Sequence, residues 1–133
     1  MIRKATSDDI SAIRYLMESV QGFWQKSWRK DVLERGIDSA NGLAFVWEQK
    51  CEILGFICAH DLGFRGYISE LVVAEEVRER KIGKKLVEHV QDKLAERGCS
   101  VVIADVWRDA EDFYRKLGWE SPNVVLLRKT LSV

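Results

Sequence analysis

The sequence has one proline, Pro122, in 133 residues, and no linker, repeat or low-complexity stretch. That scarcity excludes proline-rich recognition segments and leads us to expect one domain over residues 1–133. No apolar run is long enough to cross a bilayer, and the opening MIRKATSDD has no signal-peptide core. The expectation is a cytoplasmic protein with no membrane partner. An excess of one charge is missing as well: 21 Lys and Arg face 21 Asp and Glu. A nucleic-acid binder is more often globally basic, so no nucleic-acid partner is expected. The three cysteines, Cys51, Cys58 and Cys99, form no CxxC pair. This suggests reduced thiols and no metal site.

What is present is 47% hydrophobic residues, enough for one sizeable core. The pattern is organised around Ile68 to Gly98. The apolar run Leu71-Val72-Val73 reads as a strand, and a polar connection leads to Arg78-Glu79-Arg80-Lys81. Ile82, Leu86, Val90 and Leu94 then recur every fourth residue, the apolar stripe of an amphipathic helix, and Gly98 suits its end. A helix N-terminus carries unpaired N–H groups and partial positive charge. With Arg78, Arg80, Lys81, Lys84 and Lys85 around it, and Gly83 leaving the backbone approachable, this end suits a diphosphate. A solvated basic face on an ordinary helix is the alternative.

Around this centre the pattern predicts an edge strand at Met1–Ala5 and a helix opened by Thr6-x-x-Asp9, carrying Ile10, Ile13, Leu16, Met17 and Val20. Phe23, Trp24, Trp28, Val32 and Leu33 suggest a second helical face, serving as core or as an aromatic wall. Gly36 to Gly42 reads as a loop. Leu43–Trp47, Ile53–Ala59 and Tyr67–Val73 read as an antiparallel meander. Val101–Val106 reads as a strand buried on both faces, reached by a parallel crossover. A short helix bearing Ala110, Phe113, Tyr114 and Leu117 follows, and Val124–Leu131 reads as a last strand.

Arg78-Glu-Arg-Lys81-Ile82-Gly83 resembles the acetyl-CoA signature of the GCN5-related N-acetyltransferase (GNAT) family, Arg/Gln-x-x-Gly-x-Gly/Ala, with Lys81 in place of the first glycine. Ala110-Glu-Asp-Phe113-Tyr114-Arg115-Lys116-Leu117-Gly118-Trp119 closely resembles the family's A-x-x-F-Y-x-K-x-G-F segment. The resemblance implies an α/β (α+β) fold: a mixed, mostly antiparallel sheet of about six or seven strands flanked by about four helices. It implies acetyl transfer from acetyl-CoA to a primary amine by direct attack in a ternary complex. The pantetheine arm would pair with the backbone of Leu71, Val72 and Val73. The pyrophosphate would lie against Arg78, Glu79, Arg80, Lys81, Ile82, Gly83 and Lys84. Tyr114 would contact the cofactor and protonate the leaving thiolate. For the base, Asp105 and Glu70 are the first candidates, with His60 and Asp61 also within consideration. No asparagine stands between the fifth strand and the Phe-Tyr helix, where the family commonly has one; Trp107 or Arg108 would cover the arm instead. The other reading is a degenerate module that binds acetyl-CoA or CoA without turnover. The acceptor, a small-molecule or peptide amine, is not legible. A homodimer fits the family habit and the shortened C-terminus.

Overall fold

The computed structural model describes all of residues 1–133. Five strands form one sheet in sequence order: β1 (Ile2–Lys4), β2 (Ala44–Gln49), β3 (Glu52–Asp61), β4 (Gly66–Val73) and β5 (Val102–Ala104). The first three pairings are antiparallel, and β4 with β5 is parallel. The α-helices are α1 (Ile10–Ser19), α2 (Val32–Ala40), α3 (Ile82–Glu96) and α4 (Glu111–Lys116), with short 3-10 turns at Ser7–Asp9, Glu75–Arg80 and Arg108–Ala110.

Side-chain alternation along β3 divides the core between the two sheet faces. Gly55, Ile57 and Ala59 face α3. A Cβ on Gly55 would stand 3.0 Å from both Ile82 and Leu86, so this glycine sets how closely the helix lies on the sheet. The stripe Ile82, Leu86, Val90 and Leu94 is buried there. On the other face Phe56 and Cys58 meet Met17 of α1 and Leu33 of α2. The expected capping box closes the first turn, with the Thr6 N–H donating to Asp9 Oδ2 at 2.8 Å. Arg3 then donates twice to the Asp9 carboxylate, both at 2.8 Å, which ties β1 to the start of α1.

Five expectations need correction. The sheet has five strands, not six or seven. Val124–Leu131 pairs with nothing: residues beyond Trp119 belong to no helix or strand. Its β-forming composition is real, but a strand needs a neighbour as well as propensity. Gly36 to Gly42 is not all loop, because α2 runs from Val32 to Ala40 and ends at Asn41 in a left-handed conformation. Residues 23–31 are turns rather than helix. Finally, β5 is short and not buried on both faces, since Val101 and Ile103 are exposed.

Candidate active site

Two irregularities in β4 build the site. Cys58 pairs with Glu70 and Ala59 pairs with Ile68, so Ser69 is an extra residue, a β-bulge. On its other side β4 pairs with β5 only from Gly66 to Ile68. Beyond that point the strands part, and the edge of β4 from Ser69 to Val73 carries no neighbouring strand. Helix α4 stands across the opening. Ile68, Leu71, Ala104, Val106, Phe113 and Tyr114 are among the residues around a cavity of about 110 Å³ there.

Glu70 projects from the bulge between two cavities. The first is the opening between β4 and β5. The second, about 90 Å³, lies between β4 and α2 and is walled by Met17, Trp28, Leu33, Ile37 and Phe56. Ser69 and Glu70 border both. Burial, and secondarily the charge of Asp105, pushes the Glu70 carboxyl up to about 7. Asp105 itself is exposed just past the end of β5, where it accepts a short hydrogen bond from the Tyr67 hydroxyl. Tyr114 is buried, edge-on to Phe113 and Trp119 at 5.1 Å each. Burial, with Asp105 adding to it, raises its phenol to about 12 and keeps it protonated at neutral pH.

Behind the bulge, His60 Nε2 lies 2.8 Å from Ser69 Oγ, and Nδ1 lies 3.4 Å from Ser39 Oγ. Burial lowers the His60 pKa, so the ring is neutral at pH 7. Asp61 is exposed at the strand end, away from both cavities, with its carboxylate on the Gly63 N–H and the Cys99 thiol. Sequence patterning passed over Ser69, because a bulge residue has no periodic signature, and over Tyr67, whose partner Asp105 is distant in sequence.

At the far end of β4 the chain turns through Glu75–Arg80 into α3. Lys81, in place of the family's first glycine, has φ 61° and ψ 26°, the left-handed region that glycine enters most readily. No side chain caps the start of α3. The N–H groups of Ile82, Gly83 and Lys84 therefore lack acceptors within the helix. Arg78, Glu79, Arg80 and Lys81 are exposed around this turn, and none of Arg78, Arg80, Lys81 and Lys84 is in an ion pair. Gly83 is buried: a Cβ there would stand 3.3 Å from the Phe113 ring and 3.6 Å from Val73. Its missing side chain lets α4 close against the first turn of α3.

The model of the Acetyltransferase (GNAT) family matches residues 11–119. The chain belongs to that family. The open β4 edge and the uncapped start of α3 offer main-chain groups of the kind a pantetheine arm and a pyrophosphate need. A glucosamine 6-phosphate N-acetyltransferase of Arabidopsis thaliana is 34% identical over 62 residues, a match spanning 47% of this chain and 42% of that one. The crystal structure of the glucosamine-6-phosphate N-acetyltransferase of that plant superposes with TM-score 0.72 at 24% identity, over 97% of both chains. The PaiA N-acetyltransferase of Thermoplasma acidophilum, solved with coenzyme A, has TM-score 0.81 at 19% identity over 94% of this chain and 92% of its own. At these identities the superpositions establish the fold.

Proposed function

We propose that this acetyltransferase moves the acetyl group directly from acetyl-CoA to a primary amine, with Glu70 as general base and Tyr114 as general acid. The observation that carries the reading is the position of Glu70, a carboxyl with a pKa near 7 where two cavities meet. Acetyl-CoA supplies a thioester whose carbonyl is open to attack. The chain's part is to orient, to polarise and to move protons. The free edge of β4 at Leu71, Val72 and Val73 binds the pantetheine amides in the manner of an added strand. The start of α3, with the N–H groups of Ile82, Gly83 and Lys84 and the cations Arg78, Arg80 and Lys81, holds the pyrophosphate. Trp107, 66% exposed at the mouth of the opening, covers the arm where the family commonly has asparagine.

The amine enters through the cavity beside α2. Glu70, ionised above pH 7, takes its proton. On the opposite side of the opening Tyr114, held protonated by burial, gives its proton to the departing sulfur. Asp105 is the weaker candidate for base: it is exposed and already accepts from Tyr67. It acts instead on Glu70, whose carboxyl its charge helps to raise.

The lining of the α2 cavity favours an acceptor with an apolar or aromatic body. It has no Lys, Arg or His, and its polar side chains are Cys58, Ser69 and Glu70. A sugar phosphate would meet no cation there. The test is thiol release from acetyl-CoA across a panel of primary amines, followed by a pH profile with the best acceptor. The expected rate rises with an apparent pKa near 7. Glu70→Gln is expected to lose most of the rate together with that limb. A profile unchanged by Glu70→Gln would assign the base elsewhere. Binding of acetyl-CoA with no thiol release for any amine would favour the module without turnover.

A further inference from the structure

Three side chains behind the β4 bulge form a hydrogen-bonded row that ends in the opening. Ser39 of α2 is exposed, His60 near the end of β3 is half-buried, and Ser69 is the extra residue of the bulge. Ser39 Oγ donates to Gly36 O at 3.1 Å, so its one proton is committed and it meets His60 as an acceptor. His60 Nδ1, 3.4 Å away, therefore carries the ring proton and donates to it. Burial keeps the ring neutral, which leaves Nε2 bare. Ser69 Oγ lies 2.8 Å from Nε2 and must donate to it. The other acceptor within reach of that hydroxyl, Cys58 O, is farther, at 3.3 Å. Cys58 Sγ is 3.7 Å from Nε2, but its own proton points to Gly36 O, and burial pushes the thiol up to about 11.

The row thus reads nucleophile, base, orienting group. Ser69 borders both the opening between β4 and β5 and the cavity beside α2, and Tyr114 lines the same opening. A hydroxyl that only filled a bulge would be satisfied by Cys58 O. It does not call for a histidine whose tautomer is set from the far side. The orienting group is a serine and not a carboxylate, so the imidazolium formed when His60 takes a proton is weakly stabilised and the step is slow.

We propose that Ser69 is a second acetyl acceptor, activated by His60, so that without an amine the chain converts acetyl-CoA to acetic acid and CoA through an acetyl-serine ester. Ser69 Oγ bonds to the acetyl carbon and the C–S bond breaks. The hydroxyl proton passes to His60 Nε2 and the sulfur takes one from Tyr114. Exchange with solvent returns His60 and Tyr114 to their starting forms. Water then attacks the ester: its oxygen bonds to the acetyl carbon and the bond to Ser69 Oγ breaks. One water proton returns through His60 to Ser69, and the other stays on acetic acid. The proposal rests on acetyl-CoA lying in the opening and makes no use of Glu70.

The test incubates the full chain with acetyl-CoA and no amine, following binding by calorimetry, thiol release, and the masses of tryptic peptides after acid quenching. Trypsin frees Gly66–Arg78, whose only side-chain hydroxyls are Tyr67 and Ser69 and which has no lysine. Slow thiol release is expected, with one acetyl group in that peptide, on Ser69. Ser69→Ala should lose both, and His60→Gln should slow release about 100-fold, each with acetyl-CoA still bound. Ser69→Cys, which keeps a nucleophile at the bulge, should carry the acetyl group as a thioester, with circular dichroism as the check on folding. Glu70→Gln should leave acetylation of Ser69 intact while it loses transfer to amines, which separates this step from the proposed base. Bound acetyl-CoA with no thiol release, with release unchanged in Ser69→Ala, or with the acetyl group on Tyr67 and none on Ser69, overturns the inference alone. Absence of binding overturns it together with the cofactor site.

Discussion

With Glu70 as the proposed base, stability and activity are set against each other at one carboxyl. Its carboxyl is raised by burial, so the folded state holds the proton more tightly than the unfolded chain does. Stability from that proton is fully present below the unfolded value and is lost as pH rises through about 7. Glu70→Gln removes the cost, so this variant should be more stable than the parent at pH 8, by about 2 kcal/mol, while it loses activity. Urea melts at pH 5 and pH 8 check this: the gain should appear only at the higher pH. Tyr114→Phe keeps the ring packing against Phe113 and Trp119 and removes only the hydroxyl. It should lower kcat about 100-fold with little change in acetyl-CoA affinity, a split that single-turnover and binding measurements separate. Glu70 and Tyr114 could both be named from the sequence. What could not be read there is that Glu70 borders two cavities, because that depends on the extra residue Ser69 shifting the register of β4.

Among the elements, the turn into α3 departs most from its family. Lys81 holds a left-handed backbone that costs a side-chain-bearing residue about 1 kcal/mol. Lys81→Gly should relieve that strain but add chain entropy in the unfolded state, leaving stability within about 1 kcal/mol of the parent. On the proposed site it should weaken acetyl-CoA binding less than tenfold, since the N–H groups of α3 and the cations Arg78 and Arg80 remain. Calorimetric titration checks the second point: a loss of more than tenfold would mean that the Lys81 ammonium, not its backbone, carries the contact. Helix α3 was legible throughout because its stripe is four apart and fully buried. Residues 23–31 were not, since Phe23, Trp24 and Trp28 pack on one another edge-on rather than along a helical face. Val124–Leu131 reads as a strand by composition, but it pairs with no neighbour in the sheet, and the lack of a partner is not encoded locally.

Across the whole molecule, long-range ties decide acid stability. Arg3 donates twice to Asp9 and also to Glu48, which joins β1, the start of α1 and β2. The Arg3 hydrogen bonds hold the Asp9 carboxyl down at about 2. That stability is present above the unfolded value near 3.8 and is lost as pH falls through about 2. Asp9→Asn should lower stability at pH 7 by about 1–2 kcal/mol and flatten the loss between pH 4 and pH 2, measured by thermal melts across that range. The central claim is that acetyl-CoA lies in the opening where β4 leaves β5. The most direct measurement is the thermal shift of the protein and of Ala110→Trp, which fills that opening, with acetyl-CoA and with pyrophosphate. Acetyl-CoA at about 100 times its Kd adds roughly 2.7 kcal/mol. A large shift is expected for the parent with acetyl-CoA, a small one with pyrophosphate, and loss of the difference in Ala110→Trp. An equal acetyl-CoA shift in both proteins, or none in the parent at millimolar acetyl-CoA, would contradict it.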